Sequence, residues 1–86
     1  MKFNIKLPMN CDATVLDIRR DEGDKVRIGD ILFSYEADGA LLFEYSAYNG
    51  IVTAVSANMG EKMPRGGTVL TLEGDSLPKD TELFPS

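Results

Sequence analysis

Residues 13–38 recur as a pattern at residues 50–75, at a constant offset of 37 and with no gap. Val15 matches Val52, Gly23 matches Gly60, Lys25 matches Lys62, Gly29 matches Gly66, and Glu36 matches Glu73. Positions that differ keep their apolar character, as in Ile18 and Val55, Val26 and Met63, Leu32 and Val69, Phe33 and Leu70, and Tyr35 and Leu72. Two copies fall short of the about three that a solenoid needs. Within 86 residues they imply one closed domain with pseudo-twofold symmetry. The joint between the copies is then the place to look for function. The domain is expected over 1–75. Residues 76–86, with Pro78 and Pro85, show no period and read as a tail or the start of a linker.

The periodicity is that of strands. Phe3, Ile5 and Leu7 alternate with Asn4 and Lys6, Ile31, Phe33 and Tyr35 with Leu32, Ser34 and Glu36, and Leu41, Phe43, Tyr45 and Ala47 with Leu42, Glu44 and Ser46; Ile51, Thr53 and Val55 follow, then Thr68, Leu70 and Leu72. No ten-residue window free of Gly and Pro has helical spacing, so an all-β fold is expected. Matched glycine turns, Glu22-Gly23-Asp24-Lys25 and Met59-Gly60-Glu61-Lys62, punctuate the two copies. After each comes a short extended segment with one apolar residue, Val26 or Met63, expected to plug the core. Between the copies lies Asp38-Gly39, a strong signal for a two-residue type I′ hairpin with an exposed tip. In the following run, Leu41, Phe43 and Tyr45 are expected to face the core, with Leu42 on the outer face. Leu42 and Tyr48 then become candidates for a protein contact.

Composition removes several functions. The net charge of −5 gives no basic patch for nucleic acid and no attraction to anionic membranes. No apolar run approaches the about 18 residues of a membrane span. The first residues lack the apolar stretch of a secretory signal. With one cysteine, Cys11, and no histidine, the chain holds neither an internal disulfide nor a His-based dyad. A reducing cytoplasm suits it. Cys11 has no basic neighbour to activate it and reads as a small apolar residue. Asp21-Glu22-Gly23-Asp24 lacks EF-hand spacing and reads as a solvated turn, so no metal site is expected. The chain is expected to be non-catalytic.

The pattern resembles the lipoyl/biotinyl carrier domain family. The resemblance covers about residues 3–74 and rests on three elements in one register. These are Glu22-Gly23-Asp24-Lys25-Val26-Arg27-Ile28-Gly29-Asp30, then Ile31 to Ala40 containing Glu36-Ala37-Asp38-Gly39-Ala40, then Ala47-Tyr48-Asn49-Gly50. It implies a flattened β-barrel, the barrel-sandwich hybrid, of two four-stranded antiparallel sheets. In that family a lysine at the hairpin tip carries lipoate or biotin. Here the matching position is Gly39, which has no side chain to carry either. Glu36, Asp38 and Ala40 match the positions read by the attaching enzyme. The connection Pro8 to Thr14 is shorter than the surface loop usual in lipoyl domains, and Pro8-Met9 and Glu36-Ala37 echo the biotinyl branch. Asp38 and Ala40 follow the lipoyl branch. Lys25 and Lys62 are symmetry mates in the domain's own turns and read as solvated, and Lys79 follows Pro78 in the tail with no hairpin around it.

These features lead to the expectation of a lipoyl-like domain of, or derived from, a 2-oxo acid dehydrogenase type complex. It would carry no cofactor on this chain and would act as a binding or structural module. Its partners would be other subunits of the multienzyme complex, and the isolated domain would be monomeric. One alternative is an authentic carrier of an acyltransferase or carboxylase whose lysine was replaced. Another is a barrel-sandwich module of a transport or redox assembly.

Overall fold

Each alternating run becomes a strand, and the two short extended segments become strands as well. The computed structural model describes residues 1–74; the expected tail, 76–86, lies outside the described residues. In chain order the strands are β1 (Lys2–Lys6), β2 (Ala13–Ile18), β3 (Lys25–Val26), β4 (Ile31–Ala37), β5 (Ala40–Tyr45), β6 (Gly50–Val55), β7 (Lys62–Met63) and β8 (Thr68–Gly74). They form two four-stranded antiparallel sheets, ordered β1-β8-β6-β3 and β5-β4-β2-β7. The fold is all-β, and its two sheets are compatible with a flattened barrel-sandwich. Among the described residues no helix is long and apolar enough to cross a membrane.

The repeat reaches into fine structure. A bulge between Val15 and Asp17, where β2 meets β4, recurs between Val52 and Ala54, where β6 meets β8. A second bulge, between Ile31 and Phe33 against β5, recurs where β8 meets β1. Gly23 N–H donates to the Val52 carbonyl at 2.7 Å, and Gly60 N–H donates to the Val15 carbonyl at 2.6 Å. The copies are also interlocked. β3 of the first copy closes the sheet of β6 and β8, while β7 of the second closes the sheet of β2 and β4. Neither copy can complete its sheet alone.

The core follows the same pairing. Val15 and Val52, Leu32 and Val69, and Phe33 and Leu70 are all fully buried. Val26 and Met63 plug the core from their short strands, as their isolation in the sequence implied. At 74 described residues this core is small, so burying each such side chain contributes a large share of the stability.

Strand β5 departs from expectation. The two-residue turn pairs Ala37 with Ala40, so Tyr35 faces Leu42 and Phe33 faces Glu44. Tyr35 and Phe33 are core residues. Leu42 and Glu44 therefore lie on the inner face, and Leu41, Phe43 and Tyr45 lie on the outer one. The expected faces are reversed, because a register slip of one residue moves every side chain to the other side. Leu41 is 58% exposed, Phe43 42% and Tyr45 54%, while Leu42, at the sheet edge, keeps 40%.

Candidate functional site

The joint between the copies folds as a tight hairpin. Asp38 has φ of 53° and Gly39 of 79°. Positive φ at both central residues is the type I′ geometry, whose twist matches that of the flanking strands. Asp tolerates this region because its short polar side chain hydrogen-bonds locally, and glycine has no Cβ to clash. A Cβ placed on Gly39 would meet nothing within 4 Å, so a longer side chain there would project freely into solvent.

The four positions singled out by the resemblance come together. Glu36, Asp38, Gly39 and Ala40 are all exposed at this end, and Ala37 between them is buried and anchors the turn. Glu36 lies on the outer face opposite Leu41. Beneath the tip, Tyr35 packs at a tilt on Phe33, with ring centroids 5.9 Å apart. Burial pushes the Tyr35 phenol up, and the nearby Glu44 and Cys11 push it the same way. The tip thus stands on a buried aromatic pair.

Cys11, in the first loop, packs against the core cluster that includes Tyr35. Cys11 is half-buried against the core, in keeping with its reading as a small apolar residue. The loop is held by the second copy. The Pro8 carbonyl accepts Gly66 N–H at 2.9 Å, and Asp12 Oδ1 accepts Arg65 N–H at 3.0 Å.

Other candidates fall into structural roles. Asp24 Oδ2 accepts Asp21 N–H at 2.8 Å, so that carboxylate closes its own turn. Lys25 and Lys62 are exposed on β3 and β7. Tyr48 is half-buried and stacks on Phe3 at 3.7 Å between centroids, 7° from parallel. It is therefore tied to β1 rather than free to join Leu42 in a contact patch. An open groove of about 280 Å³ lies between repeat mates, from Ile18 and Val55 to Glu22 and Met59. The guanidinium of Arg20 in its wall is already engaged by the Ile31 carbonyl at 3.2 Å and Asp30 at 3.8 Å.

What sequence reasoning missed is the outward stripe Leu41, Phe43 and Tyr45. The signal was present: a two-residue turn at Asp38-Gly39 sets Leu42 opposite Tyr35, so Leu42 shares the face of Tyr35 and Leu41 takes the other. No protein-family model matches this chain, and no curated protein resembles it closely enough to name a relative.

Proposed function

We propose that this chain is a lipoyl-like domain, of or derived from a 2-oxo acid dehydrogenase type complex. It carries no cofactor at Gly39 and acts as a binding or structural module toward other subunits. The observation that supports this reading is the hairpin itself. Glu36, Asp38 and Ala40 are displayed around an exposed type I′ tip whose central position, Gly39, has no side chain.

The turn explains how chemistry could be lost while the fold is kept. A type I′ turn needs positive φ at its second central residue, which glycine adopts without strain. Lysine in the left-handed region costs about 1 kcal/mol. Glycine at 39 therefore favours the hairpin while removing the acceptor amine.

Co-expression with a lipoate ligase and lipoate, followed by intact mass measurement, is expected to show the unmodified mass. A lipoyl adduct on any lysine would sink the reading. Gly39→Lys is expected to gain the adduct, since the space around position 39 is open. A folded but unmodified Gly39→Lys protein would mean the hairpin has lost more than its lysine. That same open space favours the second reading, a carrier of an acyltransferase or carboxylase with its lysine replaced. The encoding gene, read at codon 39, separates the two.

A further inference from the structure

The two sheets have four edges. β3 and β7 are two residues long and each begins with lysine; β1 carries Lys2 and Lys6 at its ends. Short strands and lysines are the usual means by which proteins keep a sheet edge from pairing with another chain. β5 has neither. It presents Leu41-Leu42-Phe43-Glu44-Tyr45 along six residues of strand with no lysine and no proline.

Its backbone is poised as well. In an antiparallel ladder, residues alternate between bonding the neighbouring strand and pointing away from it. Across a two-residue turn, Ala37 and Ala40 form a hydrogen-bonded pair, as do Tyr35 and Leu42. The N–H and C=O of Leu41 and Phe43 consequently point away from β4, toward the open edge. The same residues expose their side chains on the outer face. Among the described residues, one strand thus offers unpaired hydrogen-bonding groups and an apolar stripe together.

We propose that β5 pairs antiparallel with β5 of a second copy of this chain, about a twofold axis through Phe43. The strand is its own complement in this register. Phe43 meets Phe43, and Leu41 of each copy meets Tyr45 of the other, a run of aromatic and aliphatic cross-strand pairs. Glu44 falls opposite Leu42, so no two like charges are directly opposed. The pairing joins the two β5-β4-β2-β7 sheets into one continuous eight-stranded sheet, and the isologous contact closes on itself. A second copy fits better than a basic peptide, because β5 bears a single acidic residue and five uncharged ones. The contact is smaller than the about 800 Å² per partner of a standard interface, so the dimer is weak and concentration-dependent. Each copy carries a charge of −5, so added salt tightens it.

Sedimentation velocity of the whole chain over a hundredfold concentration range tests this, together with amide exchange followed by NMR. The expected result is a shift from monomer to dimer that salt favours. The Leu41 and Phe43 amides should slow as the dimer fills, while those of Lys2 and Asn4 on β1 stay unchanged. Phe43→Lys sets two ammonium groups against each other and is expected to raise the dissociation constant at least tenfold. If Phe43→Lys unfolds, Leu41→Lys takes its place, since it puts a lysine, the residue that keeps sheet edges unpaired, into both of the apolar Leu41–Tyr45 cross-strand pairs. A monomer at every concentration overturns the proposal. So does a dimer in which the Leu41 and Phe43 amides exchange as fast as in dilute protein, or one that the lysine variants leave intact.

Discussion

Strands β1 and β5 occupy the same place in the two halves and carry opposite chemistry. Each pairs with the long central strand of its sheet, β8 or β4, with the same register and the same bulge. On the outer face β1 sets Lys2, Asn4 and Lys6 where β5 sets Leu41, Phe43 and Tyr45. On the inner face β1 sets Phe3 and Ile5 where β5 sets Leu42 and Glu44. Ile5 is buried, while Leu42 keeps 40% exposure. Backbone geometry alone therefore does not decide what an edge does. The same frame makes an inert edge with one set of side chains and an adhesive edge with the other.

The sharpest way to break that comparison is to give β1 the inner face of β5. Ile5→Glu removes a buried aliphatic side chain and places a carboxylate against Leu70 and the rest of the core. The expected loss is about 4 kcal/mol in urea unfolding, enough to threaten a domain this small. A loss below about 1 kcal/mol would mean that the inner face of β1 is as loosely packed as that of β5.

A second contrast lies where β2 and β6 begin. Ala13 in the first copy is replaced by Gly50 in the second. A Cβ on Gly50 would sit 2.5 Å from the Glu73 carbonyl oxygen and 2.9 Å from the Gly74 Cα, both backbone atoms with little freedom to move. Gly50→Ala is expected to cost about 3 kcal/mol. Ala13→Gly should cost about 1 kcal/mol, through added freedom of the unfolded chain. Equal thermal shifts in the two variants would mean that the strands approach equally closely in both halves.

These contrasts also mark how far the sequence could be read. The repeat, the strand runs, the plugs Val26 and Met63 and the Asp38-Gly39 turn were all legible. Each depends on local chemistry: alternation, glycine where φ is positive, and one apolar residue in a polar stretch. The facing of β5 was misjudged because its own alternation, Leu41, Phe43 and Tyr45, looks like a core stripe. Register overrides that pattern, because the turn hands Leu42 to Tyr35 and Glu44 to Phe33. The half-burial of a glutamate at an inner position cannot be read from strand propensity, since it is a property of the edge. That Glu36, Asp38, Gly39 and Ala40 come together at one exposed end was legible because all of them lie in or beside one turn.

Glu44 provides a pH test of its inner position. Desolvation by burial pushes its carboxyl up from the usual range. An acid whose pKa is raised by folding binds its proton more tightly in the folded state, so stability falls as pH rises through that range. Glu44→Gln is expected to be more stable than the parent at neutral pH, by at most about 1 kcal/mol, with the difference vanishing in acid. Urea unfolding at acid and neutral pH measures it. An unchanged difference at the two values would place Glu44 in solvent.

The smallest expected effect concerns the turn that anchors the first loop. Asp12 Oδ1 accepts Arg65 N–H at 3.0 Å, and its repeat mate Asn49 accepts Ile28 N–H through its own Oδ1 at 2.9 Å. The same backbone group is capped by a carboxylate in one half and by an amide in the other. The Arg65 N–H bond is the main reason that the Asp12 carboxyl lies below its usual value, with the guanidinium, 3.5 Å away, and Lys62 adding to it. A lowered pKa gives stability that is present above the unfolded value and is lost as pH falls through the folded one. Asp12→Asn copies the second half and keeps the hydrogen bond. It is expected to leave stability in acid unchanged and to lower it slightly at neutral pH, because the site is exposed and screened. Asp12→Ala, which removes the acceptor, should lose stability at both values. If Asn and Ala behave alike across the pH range, the side-chain cap contributes nothing at this position, and the repeat is tied together here by backbone bonds alone.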